Sequence, residues 1–144
     1  MIAVDTNLLV YAHRSDSPWN AAAYGCIRDL ASSGRPWAIA WPCIHEFFAI
    51  VTHPRIYGPP STETQAIAQI EAWLACRNLA LLAESDAYWP NLKPLLEAGA
   101  VVGPRVHDAR IAAICRLHGV RELWTADRDF RRFPGVPSRN PLVA

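Results

Sequence analysis

At 144 residues, 51% of them hydrophobic, the chain can enclose one core and is too apolar to be disordered. A net charge of +1 with His neutral excludes a strongly basic nucleic-acid sponge. No apolar run approaches the ~18–20 residues that cross a bilayer, so a single domain over residues 1–144, without a membrane span, is the expectation.

Ile2–Val4 is a short β-leaning run, broken by Asp5-Thr6-Asn7 before Leu8–Tyr11 resumes the apolar pattern. This reads as strand, turn and helix, with Thr6 or Asn7 as the cap. The opening has no basic region ahead of its apolar residues and so does not read as a secretory signal. Pro18 opens a second helix running to about Ser32, and Gly34 ends it. Trp37–Trp41 is a strand, and Pro42 then starts a helix that His53-Pro54 stops.

Residues 53–62 are rich in Pro and Gly and form a loop inside the domain. Thr62–Leu74 is an amphipathic helix with Ile67, Ile70, Trp73 and Leu74 on one stripe. Leu79–Leu82 is a strand. Asp86–Ala98 is helical, and Pro90 and Pro94 are expected to break it into pieces. A helix over 107–118 follows Gly103-Pro104 and is closed by Gly119. Glu122–Thr125 is a strand, Asp127–Phe130 a turn or short helix, and the tail from Pro134 irregular or an edge strand. Helices alternating with short apolar strands specify an α/β fold around a central, mainly parallel sheet.

Cys26, Cys43, Cys76 and Cys115 lie far apart among apolar residues, with no C-x-x-C pair. They read as reduced thiols of a cytoplasmic protein, neither a zinc site nor a redox motif. Thirteen of the fourteen basic residues are arginine, which suits bidentate phosphate contacts. A GC-rich genome accounts for the same bias equally well.

Four acids carry the chemistry. Asp5 directly follows the first strand, and Asp127 comes two residues after Thr125 at the end of another. Strand carboxyl ends line the ligand crevice of open parallel sheets. Cys43, Glu46, Phe47 and Ile50 share one helix face, so Glu46 is drawn onto an apolar stripe. Asp108 likewise heads the stripe Asp108, Ile111, Ala112 and Cys115. Each acid alone has a bland reading as a cap, a turn residue or a solvated edge. Together they point to one crevice that collects four carboxylates. Such a cluster calls for hard divalent cations, Mg²⁺ or Mn²⁺, which support phosphoryl displacement.

The segments V-D-T-N-L-L-V, W-P-C-I-H-E-F-F-A-I-V, V-H-D-A-R-I-A-A-I and L-W-T-A-D-R-D-F, in this order and spacing, strongly resemble the PIN-domain family. Within it they resemble the VapC-type toxins of bacterial toxin–antitoxin pairs. The resemblance spans residues 1–130 and implies an α/β/α sandwich and a metal-dependent ribonuclease. It makes Asp5 and Asp108 the principal metal ligands, with Glu46 and Asp127 completing the acidic pocket. Thr6, Asn7 and Thr125 match supporting positions, and Asp129 a structural one. It further implies an RNA substrate, a homodimer and a small antitoxin that blocks the site.

Arg128, Arg131 and Arg132 flank the fourth acid and are candidates for holding RNA phosphates, or else a solvated basic turn. The five histidines show no H-x-x-x-H spacing and read as structural. An aspartyl-nucleophile phosphohydrolase is disfavoured, because Asn7 stands where its second acid belongs and Lys93 is the one lysine. Two alternatives remain: a catalytically inactive PIN-like module that binds RNA or protein, and a deoxyribonuclease that uses the same acids.

Overall fold

The computed structural model describes residues 1–143. Its strands β1 (Ile2–Val4), β2 (Trp37–Ala40), β3 (Leu79–Leu82), β4 (Glu122–Trp124) and β5 (Ser138–Arg139) form one sheet in the order β3-β2-β1-β4-β5. Every neighbouring pair is parallel; Ile2 stands level with Trp37 on one side and Glu122 on the other. All four residues of β2 are buried, because helices cover a parallel sheet on both faces and erase the alternation of an exposed strand.

Six helices cover it: α1 (Thr6–His13), α2 (Asn20–Ser32), α3 (Trp41–Val51), α4 (Glu63–Leu74), α5 (Tyr88–Ala98) and α6 (Val106–Leu117). Two 3₁₀ turns, Gly103–Arg105 and Arg128–Arg132, complete the structure. The chain runs outward from β1 to β2 to β3, then crosses back over β1 to β4. Right-handed crossovers therefore put α1–α4 and α5–α6 on opposite faces, and the helices pack accordingly, α1 on α2 and α3, α3 on α4, and α5 on α6. The result is the α/β/α sandwich. No helix among the described residues is long and apolar enough to cross a membrane.

Local departures from the sequence reading have identifiable causes. Asp5, not Thr6 or Asn7, caps α1, its carboxylate accepting from the Thr6 amide at 2.8 Å. The second helix starts at Asn20, because residues 17–19 form a turn closed by a bond from Asn20 N to Ser17 O. Trp41 ends no strand and begins α3.

α5 stays in one piece. Pro90 falls in its first turn, where the missing N–H has no intrahelical partner anyway, so Pro94 alone interrupts the ladder. Buried Leu92 and Leu95 hold that helix in place. In α4 the buried line is Ala66 and Trp73, while Ile67 and Leu74 are exposed. Trp73 decides this rotation by packing edge-on against Phe47 of α3, with ring centroids 4.8 Å apart.

The 53–62 loop is clasped rather than free. Arg14 donates to Ser61 Oγ at 3.2 Å and to the Pro59 carbonyl at 2.9 Å, and stands 4.3 Å from the Tyr57 ring centre. His13 bridges Ser61 and Gln69. The end of α1 thus ties α3's exit to α4.

Candidate active site

The strand order reverses at β1, so a topological switch point lies between β1 and β4. Crevices at such points, outside the strand carboxyl ends, are where open α/β sheets bind ligands. Asp5 follows β1 and Thr125 and Asp127 follow β4, which brings two ends of the chain to this one place.

Asp5 is 4% exposed and surrounded by donors. Thr125 Oγ1 donates to its Oδ2 at 2.7 Å and Asn7 Nδ2 at 3.4 Å, while the Cys43 thiol lies 3.7 Å from Oδ1. The Thr125 oxygen in turn accepts from Asn7 Nδ2 at 3.2 Å and from the Asp127 amide at 3.0 Å. Asn7 Oδ1 accepts from the Ala126 amide at 3.1 Å, locking the turn after β4 onto α1. Burial raises the Asp5 pKa from 3.8 to about 6; the bonds from Thr125 and Thr6 oppose the rise, and the charges of Glu46 and Asp108 add to it.

Thr6 Oγ1 donates to Glu46 Oε2 at 2.9 Å, so α1 also orients the acid of α3. Glu46 and half-buried Asp108 face one open cavity of about 430 Å³, with Pro42, His45, His107 and Arg110 around them. The Asp108 pKa is raised, first by burial and then by the charges of Asp127 and Glu46. A larger cavity, of about 720 Å³, lies beside the Arg14 clasp and contains none of these acids. The candidate acids Glu46 and Asp108 line the smaller one.

Asp127 caps the second 3₁₀ turn, accepting from the Asp129 amide at 2.9 Å. Asp129 is occupied elsewhere: it pairs with Arg105, which holds its carboxyl below the usual range, and Arg132 approaches it to 3.9 Å. Arg132 also donates to the Gly99 carbonyl, so it points away from Arg128 and Arg131, which line a cavity of their own.

Among the described residues, no three Asp, Glu, His or Cys side chains converge into a ready-made ligand group. Glu46 and Asp108 line one cavity and Asp127 the neighbouring one, while Asp5 is buried within electrostatic reach of Glu46 and Asp108; like charges favour such spacing. This still fits a hard cation. Mg²⁺ keeps several of its waters and needs only one or two carboxylates, and the donors on offer are oxygens, with the pKa of Asp5 and Asp108 raised by burial first and by neighbouring negative charge after it. The nearby thiol is inert, since burial pushes Cys43 well above its ordinary range.

A PIN-domain family model matches residues 2–136. The chain belongs to the PIN-domain family. It is similar to Ribonuclease VapC48 of Mycobacterium tuberculosis, 31% identical over 139 residues, which cover 96% of this chain and 95% of that protein. Ribonuclease VapC43 of the same species is 30% identical over 142 residues, covering 99% and 96%. In fold the chain is similar to VapBC2 from Rickettsia felis bound to a DNA fragment from its promoter, with a TM-score of 0.71, 21% identity and coverage of 97% and 98%. M. tuberculosis VapC20, a Sarcin-Ricin loop cleaving toxin, gives a TM-score of 0.67 at 17% identity, covering 95% and 99%.

Several neighbours of the PIN-domain acids escaped the sequence reading. Arg105, three residues before Asp108, pairs with Asp129 and lies within electrostatic reach of Asp108 and Asp127, and that spacing could have flagged it. His45 and His107, each adjacent to a candidate acid, were passed over because no ligand spacing joined them. Trp19 and Arg139 approach Asp127 only through the fold.

Proposed function

We propose that this PIN-domain protein is a divalent-metal-dependent endoribonuclease, the toxin of a VapBC-type pair, acting as a single domain in the cytoplasm. The observation that carries the reading is buried Asp5 at the switch point, its pKa raised to about 6 beside Glu46 and Asp108. Relatives about 30% identical across nearly the whole chain are named ribonucleases, which supports it.

Asp5 and Asp108 would be the principal ligands, with Glu46 and Asp127 completing the acidic set. Mg²⁺ or Mn²⁺, when bound, supplies a Lewis acid that activates water and offsets charge on a phosphodiester. The rest is the work of the chain's own groups. Thr125, Asn7 and the Thr6 amide fix the Asp5 carboxylate in one orientation, and Thr6 Oγ1 does the same for Glu46. Arg105 tempers the charge at the crevice rim and holds Asp129 out of it. With Cys43 protonated and no lysine or serine at the acids, the nucleophile is water. In-line attack leaves 5′-phosphate and 3′-hydroxyl ends.

The proposed partners are a homodimer mate and a small antitoxin, whose arginine would compete for the carboxylates. Mapping the ends of a cut structured RNA, with and without EDTA, tests the reaction. A 2′,3′-cyclic phosphate product formed in EDTA overturns it. Growth arrest on expression, absent for Asp5→Asn and relieved by the adjacent reading frame's product, tests the toxin role.

A further inference from the structure

A third cavity, of about 320 Å³, opens on the β5 side of Asp127. Its wall comes from three separated segments: Trp19 ahead of α2, Arg128 and Arg131 of the 3₁₀ turn, and Arg139 and Asn140 at the end of β5. Thr125 and Asp127 line it too, so it is continuous with the carboxylate lattice around Asp5.

Its chemistry differs from that of the acidic crevice. Arg128, Arg131 and Arg139 all line this one small concavity, against a single lining carboxylate, Asp127, and that excess of positive charge favours an anion there. Arg139 is held in position by the Trp124 ring, 5.2 Å from its centre, and by Glu122 at 3.7 Å. Guanidinium groups recognise phosphate through bidentate donation. At the rim Trp19 is 40% exposed, a large flat apolar surface beside those charges. An indole in that position is a stacking platform for a base, whatever its identity.

Resting on the ribonuclease reading, we propose that this cavity holds the nucleotide flanking the scissile bond of a single-stranded RNA. Its phosphate lies on Arg128, Arg131 and Arg139, and its base stacks on Trp19. The acids and the arginines then divide the backbone between them, the reacting phosphate on one side of Asp127 and its neighbour on the other.

The test measures binding apart from cleavage. A short fluorescein-labelled single-stranded RNA is titrated with the full chain in EDTA, over a series of salt concentrations, by fluorescence anisotropy. Arg131→Ala/Arg139→Ala should weaken binding at least ~10-fold and reduce the salt slope by about 0.7, the value for one lost phosphate contact on a single strand. Arg55→Ala/Arg77→Ala removes the same charge from exposed positions elsewhere and should change affinity less than ~3-fold. Trp19→Ala should weaken binding ~10-fold while Trp19→Phe restores most of it. Melting curves establish that each variant folds, and Arg131→Lys/Arg139→Lys, with charge but no fork, should fall between. If the two double variants bind alike, or Trp19→Phe binds as poorly as Trp19→Ala, the pocket is refuted even though the wild type still cuts RNA with Mg²⁺. A wild type that binds no RNA refutes it as well, and its cleavage assay then reports separately on the nuclease reading.

Discussion

Thr125 Oγ1 donates to Asp5 Oδ2 at 2.7 Å, joining residues 120 positions apart at the strand ends of β4 and β1. This bond is one of the two that hold the Asp5 pKa down against burial. Thr125→Val keeps the shape and removes the donor, so the Asp5 pKa should climb above about 6. The acid limb of the kcat/KM–pH profile should move upward, with roughly a tenfold loss at neutral pH. A limb that stays in place would sever this hydroxyl from the chemistry.

Asp5 itself opposes stability at neutral pH. Its folded pKa of about 6 exceeds the ordinary 3.8. Between those values the folded chain keeps a proton that the unfolded chain releases, so stability falls as pH rises through that window and levels off above it. The cost saturates at about 3 kcal/mol by the usual conversion of a pKa shift. Asp5→Asn should therefore melt above the wild type at pH 7 in EDTA, lose that advantage below pH ~4, and cleave no RNA. Thermal melts across pH decide it; a lower melting temperature at pH 7 contradicts the assignment.

Divalent metal should reverse that cost. Mg²⁺ or Mn²⁺ should raise the melting temperature relative to EDTA, and more at pH 7.5 than at pH 5, because Asp5 must shed its proton to bind. Asp108, pushed up by burial and by Asp127 and Glu46, adds to the same dependence. Equal shifts at the two pH values would mean that the ion binds elsewhere.

The two acids of the 3₁₀ turn should part company. Asp127 acts on Asp108 through its charge, whereas Asp129 is engaged by Arg105 and Arg132. Asp127→Asn should cost ~100-fold or more in kcat/KM, and Asp129→Asn less than ~10-fold. The reverse order exchanges their roles.

The Arg14 clasp should matter for the fold and little for the chemistry. Arg14→Ala removes the donor to the Pro59 carbonyl and one of the two partners of Ser61 Oγ, and should lower unfolding free energy by about 1–2 kcal/mol. Urea denaturation measures it, and an unchanged midpoint would mean the loop holds itself.

What the sequence made legible follows a pattern. Asp5 and Asp127 could be placed at strand ends because β1 and β4 are short apolar runs with acids directly behind them. Glu46 and Asp108 could be placed by helical spacing, since Cys43, Phe47, Ile111 and Cys115 fix the buried faces of α3 and α6. Spacing failed for α4, where one edge-on contact between Trp73 and Phe47 outweighed the apolar content of Ile67 and Leu74. It failed for α5 because Pro90 lies where a proline costs nothing. It could not reach the His13–Ser61 contact, 48 residues long, or the Arg105–Asp129 pair, 24 residues long, which depend on loop geometry alone.

β1 is the middle strand, paired with β2 on one side and β4 on the other, and Asp5 stands at its end. During synthesis the first of these neighbours is made early and the second only after most of the chain. Until β4 arrives, Asp5 has neither the Trp124 carbonyl for its amide nor the Thr125 hydroxyl for its carboxylate. Asp108 and Asp127 are likewise still to come or not yet docked. The bonds that orient the Asp5 carboxylate therefore form only once β4 has paired with β1.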